Sequence, residues 1–76
     1  SLTLAVPAPG ERVRVDVYNL AGRRVLTLCD SRFEPGVHAL EWNGRNRGGT
    51  RVASGVYFAR ASGERADATQ KLVLIR

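Results

Sequence analysis

The chain has 76 residues, 43% of them hydrophobic and 25% charged, which fits one small folded domain and excludes a disordered or fibrous chain. A domain near this size buries only about 60% of the surface its unfolded chain exposes, so its core is thin and an enclosed active site has little room. The net charge is +5, but the arginines that dominate it are scattered among seven acidic residues, and the charge reads as a solvated face and not as a basic tract. No apolar run is long enough to cross a bilayer, and no charged-then-apolar leader opens the chain. Because it starts at Ser1 and not Met, it is expected to be a piece of a longer protein.

The dominant sequence period is two, the signature of half-buried strands. Leu2, Leu4 and Val6 alternate with other residues until Pro7-Ala8-Pro9-Gly10, which cannot continue a ladder and predicts a turn. From Arg12 to Tyr18 the valines fall on one face and polar residues on the other, a strand that branched side chains favour. Asn19-Leu20-Ala21-Gly22 reads as a tight turn, with glycine free to take positive φ. A strand follows from about Arg23 to Cys29. Val25 and Leu28 differ in parity, which predicts a bulge or an early strand end.

Glu34-Pro35-Gly36 is the next break. His38, Leu40 and Trp42 then share one face, opposite Val37, Ala39 and Glu41. Asn43-Gly44 opens a polar loop running through Gly48-Gly49, the Asn-Gly pair being expected to supply positive φ values. Arg51 to Ala53 suggests a brief strand before Ser54-Gly55. Val56 to Ala61 is apolar on both faces over most of its length, as expected of a central strand. Ser62 to Arg65 closes a hairpin, and Thr69 to Ile75 forms the last strand. Six to seven antiparallel strands with regular turns, and no amphipathic helix, predict an all-β, immunoglobulin-like β-sandwich smaller than the usual size for that architecture.

Nothing in the chain assembles a catalytic group. His38 is the only imidazole, and its face, shared with Leu40 and Trp42, marks it as a packing residue and not a base for a nucleophile. Cys29, the only cysteine, cannot make an internal disulfide and reads as a small buried hydrophobe. The loop from Asn43 to Gly48 lacks the carboxylates of a calcium site, and Gly48-Gly49 is too short to cradle a phosphate. Arg45, Arg47 and Arg51 cluster around one loop, but without interleaved aromatics they make a weak nucleic-acid patch. Trp42, Tyr57 and Phe58 are read as core, and on that footing Trp42→Ala would cost roughly 3–5 kcal/mol.

Four stretches together resemble a known family: VRVDVYNLAGRRVLTL (13–28), EPGVHALEWNGRNRGG (34–49), RVASGVYFARA (51–61) and QKLVLIR (70–76). Their order and spacing are similar to the immunoglobulin-like module related to the flagellar hook-capping protein. That module is widespread as the C-terminal sorting domain of proteins exported by the bacterial type IX secretion system. In the resemblance, Tyr18, Asn19, Gly22 and Arg23 match the family's strand-turn-strand. Trp42, Asn43 and Gly44 match its tryptophan strand and turn, with Asn43 where the family more often has Asp. Gly55 and Tyr57 match the entry to the central strand, Lys71 the lysine of the last strand, and Arg76 the usual end. Ala59 and Ala61 stand where bulkier residues are common, implying a thinner core.

The resemblance implies a single domain over residues 1–76, the C-terminal module of a larger secreted protein. It implies a non-catalytic role, sorting the parent through periplasm and outer membrane to the surface or medium of a Gram-negative-type bacterium. The expected partner is the type IX export machinery, with no nucleic acid, membrane insertion, cofactor or metal, and with the isolated domain monomeric. The candidate recognition residues are Gly22, Arg23, Lys71 and Arg76. Two other classes fit the same residues. One is a structural assembly module, hook-capping-like or a surface-protein spacer. The other is a glycan- or anion-binding module using Arg45, Arg47 and Arg51.

Overall fold

The computed structural model describes residues 2–75. They form six strands: β1 (Leu2–Val6), β2 (Glu11–Asn19), β3 (Arg24–Phe33), β4 (Gly36–Leu40), β5 (Gly55–Gly63) and β6 (Asp67–Leu74). Every pairing between them is antiparallel. Strands β1 and β4 make a two-stranded sheet, and β3-β2-β5-β6 a four-stranded one. The chain is thus an all-β, immunoglobulin-like sandwich of six strands. The brief strand expected at Arg51 to Ala53 is reduced to one bridge, Arg45 to Arg51, because the segment there folds back on its own loop.

The core forms where the small sheet lies on the large one. Leu2, Leu4 and Val6 of β1 meet Val13 and Val15 of β2, and Ala59 and Ala61 of β5, with Ala66 at one end. The alternation that predicts β2 has this cause: Val13, Val15 and Val17 are fully buried, whereas Arg12 and Arg14 point to solvent. The parity break in β3 is resolved by bulges. Cys29 faces Val15 and Thr27 faces Asp16, so Leu28 is the extra residue; Val25 is extra in the same way between Leu26 and Arg24. The strand does not end at Cys29 but runs to Phe33. Its polar end is held by cross-strand neighbours, with Arg12 Nε donating to Asp30 Oδ1 at 2.9 Å.

Glu11 fastens the far end of the sandwich. Its Oε2 accepts the backbone N–H groups of Arg65 and Ala66, each at 2.8 Å, tying the β5–β6 turn to the start of β2. These two bonds hold the Glu11 carboxyl below its ordinary value of 4.5, and the nearby Arg65 charge acts in the same direction. The carboxylate sits against Gly63: a Cβ there would collide with Oε2 and lie 3.0 Å from the Arg12 carbonyl oxygen. Glycine at 63 is required by this close approach.

Candidate recognition face

The turn between β2 and β3 is set by one side chain and one glycine. Asn19 Oδ1 accepts the Arg23 N–H (3.0 Å), Gly22 N–H donates to the Asn19 carbonyl (3.0 Å), and Asn19 N–H donates to the Arg23 carbonyl (3.0 Å). Gly22 closes the turn at φ 80°, a left-handed conformation that glycine adopts without steric cost. The turn therefore leaves Leu20 at the tip, 72% exposed.

The pairing registers carry this turn to the last strand. Tyr18 pairs with Arg24 on one side and Phe58 on the other, and Phe58 pairs with Lys71. Arg24, Tyr18, Phe58 and Lys71 thus make one row across all four strands, on the face turned away from the small sheet. Tyr18, Leu20, Gly22 and Phe58 line a shallow depression of about 370 Å³ on this face, with Arg60 and Thr69 at its rim. Val73, 61% exposed, lies one step further along β6. Of the expected recognition residues, Gly22 and Lys71 are brought to this end of the face, and Arg23 adjoins it through the turn. Arg76 lies outside the described residues.

Charge is distributed unevenly over the same face. Away from the turn the cations are paired: Arg14 with Asp16 (3.0 Å), Arg12 with Asp30 (2.9 Å) and Arg60 with Asp67 (3.5 Å). Asp16 is buried there, and Thr27 Oγ1–H also donates to it, at 2.6 Å. Arg24 and Lys71, beside the aromatic row, have no ion-pair partner among the described residues. The result is an apolar, aromatic surface with two cations at its edges.

The other sequence-marked residues do structural work. Tyr57 is buried, and its hydroxyl donates to the Ala53 carbonyl at 2.6 Å. Trp42 lies beyond the end of β4 and is half-buried, not enclosed in the core as its alternation with His38 and Leu40 suggests. Its ring meets Tyr57 edge to face at 5.0 Å, and its Nε1–H donates to the Arg45 carbonyl at 2.9 Å. Asn43 Oδ1 accepts the Arg45 N–H at 3.1 Å, and Gly44 alone of the Asn-Gly pair has positive φ, 75°. The polar bonds of this loop centre on Asn46, whose Oδ1 accepts the N–H groups of Gly48 and Thr50, each at 3.0 Å. The Arg45 guanidinium is used within the loop, donating to the Gly49 carbonyl at 3.0 Å.

His38 is half-buried against Phe33, ring centroids 5.1 Å apart, with Nε2–H donating to the Glu34 carbonyl at 2.7 Å. Burial pushes the Cys29 thiol above its ordinary value, which disfavours the reactive thiolate. Among the described residues, no group of three or more His, Cys, Asp or Glu could hold a metal ion.

Sequence reasoning missed Leu20 as an exposed residue and Phe58 as a half-buried one on the outer face. The signal was present: Val56 to Ala59 is apolar on both faces, yet a chain this short covers only one face of its larger sheet. The FlgD Ig-like domain family model matches residues 1–67, which takes in β1 through β5 and stops at the first residue of β6. No curated protein and no solved structure matches the chain.

Proposed function

The chain belongs to the FlgD Ig-like domain family, and from that premise we propose that it serves as the sorting module of a larger exported protein. It is a structural immunoglobulin-like module, a fold whose business is presenting surfaces and not chemistry. One observation carries the proposal: the row Arg24–Tyr18–Phe58–Lys71, two exposed cations flanking two half-buried aromatics, joins the β2–β3 turn to the last strand. Those are the two elements that the resemblance to type IX sorting domains singles out. A rigid sheet displays such a row without ordering a loose tail on binding, which favours recognition. The partner in this reading is the export machinery, reached by way of the periplasm.

The test is a fusion of the chain to a periplasmic reporter in a host with type IX export, beside the host's own sorting domain. Export of the wild-type fusion, lost in Leu20→Glu/Lys71→Glu, is the expected result. Both positions are exposed, so the substitutions leave the core intact. Retention of the wild-type fusion while the host's own domain is exported would refute the reading. A second reading, a structural assembly module, is supported by the family match itself, which is to an immunoglobulin-like domain. It expects periplasmic retention of every fusion and a partner of the parent protein bound through Tyr18, Leu20 and Phe58.

A further inference from the structure

An open sandwich has sheet edges, and edges recruit strands unless something blocks them. Three of the four here are blocked. The outer edge of β3 is broken by bulges at Leu28 and Val25, and the long loop crosses it, with Arg47 N–H donating to the Val25 carbonyl at 3.4 Å. Strands β1 and β4 are only five residues long, and the Gln70 side chain takes the Thr3 N–H of β1 at 3.2 Å. Strand β6 differs. It is eight residues long, pairs with β5 without a register shift, and no loop hydrogen bond reaches its outer edge among the described residues.

The one blocking device on β6 is the charge of Lys71, and the strand itself carries the answer to it. In an antiparallel pair, residues directly opposite share a face, so two copies of β6 related by a two-fold axis can be centred only on one residue. Centred on Lys71, the pairing sets lysine against lysine. Centred on Gln70, it sets Asp67 against Val73. Centred on Thr69, it sets Asp67 of each copy against Lys71 of the other, with Thr69 facing Thr69 across the axis. Opposite charges and threonine pairs are favourable cross-strand neighbours. Asp67 and Lys71 are both exposed on the outer face of the sheet, so their side chains flank the edge at which such a partner would add. Asp67 reaches Arg60 at 3.5 Å on the β5 side, and its 73% exposed carboxylate has room for a second cation.

We infer that β6 is a self-complementary edge through which two copies of this chain pair in the register centred on Thr69. The pairing continues the large sheet into eight strands, β3-β2-β5-β6 followed by its symmetry mate. It is a weak, isologous contact built from main-chain hydrogen bonds and two Asp67–Lys71 pairs. The inference shares Lys71 with the export reading but does not rest on it: pairing uses the edge of β6 and is read by sedimentation, whereas export is tested in cells.

The experiment is sedimentation equilibrium of the 76-residue chain over a rising concentration series. The wild type is expected to show a monomer–dimer equilibrium. Lys71→Asp and Asp67→Lys each turn two attractions into two repulsions and should weaken association by about tenfold. The double exchange Asp67→Lys/Lys71→Asp rebuilds both pairs in reversed order and should recover dimerisation. Circular dichroism melting of each variant shows that it is folded. Amide exchange along β6 should slow with concentration in the wild type and in the double exchange. A wild type that stays monomeric at the highest soluble concentration overturns the inference. So does a dimer equally strong in Lys71→Asp, or a folded double exchange that does not recover.

Discussion

Substituting Ala61 by valine should stabilise the domain, against the usual direction of core mutations. Ala61 is buried on the inner face of β5, directly opposite Val15 on β2 and Ala68 on β6. It lines a groove of about 150 Å³ between the sheets, with Leu2, Leu4, Ala59 and Ala66 around it. A cavity of about this volume can admit a benzene ring, so two added methyl carbons fit without overpacking. Each buried CH₂-sized group is worth about 0.8 kcal/mol, and because the groove is open on one side the gain is roughly 1 kcal/mol and not the full sum. For a domain of this size that raises Tm by about 4–8 °C. Thermal unfolding by circular dichroism measures it, and a urea titration with unchanged m assigns it to stability and not to the denatured state. Val15→Ala, which removes the same two carbons from a fully buried site facing Ala61, should cost about 2–3 kcal/mol. If Ala61→Val melts at or below the wild-type temperature, the groove is not free space and the account of a thin core is wrong.

Gly63→Ala should destabilise, although alanine ordinarily outranks glycine in a strand, because its Cβ must displace the Glu11 carboxylate and the Arg12 carbonyl; urea unfolding gives the sign. Glu11, with its carboxyl held below 4.5 by the Arg65 and Ala66 N–H groups, contributes stability that is complete above the unfolded value. That contribution is lost as pH falls through the lower folded value. Tm measured downward from pH 6 should therefore fall below about pH 4.5, and more steeply than in Glu11→Gln. Trp42→Ala should cost about 2–3 kcal/mol, short of the 3–5 expected for an enclosed tryptophan, since it removes one hydrogen bond, one edge-to-face contact and partial burial. A loss above that range in chemical denaturation would return Trp42 to the core.

Period-two alternation made β1 and β2 legible residue by residue, because burial on one face is what that pattern encodes. The parity conflict of Val25 and Leu28 announced the bulges of β3 for the same reason. The end of β3 was not legible: Asp30, Ser31 and Arg32 look like a loop until β2 supplies the partners that hold them in register. Glu11 was hidden more deeply. It is one of several isolated carboxylates in the sequence, and its role depends on N–H groups more than fifty positions away. Lys71 and the turn at Gly22 could be picked out separately, but only the registers of β2, β5 and β6 put them on one face. Phe58 illustrates the remaining ambiguity, since an apolar residue in a central strand reads as core whichever face it occupies.

Two strands cannot cover four, and most of the functional argument follows from that mismatch. The small sheet is spent on the valines and alanines of β2 and β5, which leaves the opposite face of the large sheet to meet solvent with its own side chains. At one end that face is made tolerable by ion pairs, each cation matched by a carboxylate on the same or a neighbouring strand. At the turn end the pairing stops: Tyr18, Phe58 and Leu20 stand between Arg24 and Lys71, neither with a carboxylate partner among the described residues. The surface that complements this end is apolar at its centre and carries carboxylates at its rim. Binding driven by such a patch should depend strongly on Phe58 and Tyr18 through the dissociation rate. Arg24 and Lys71, as rim charges, should act mainly on the association rate and its salt dependence. A partner whose binding responds to salt but not to Phe58→Ala would therefore be using the cations elsewhere on the chain and not this face.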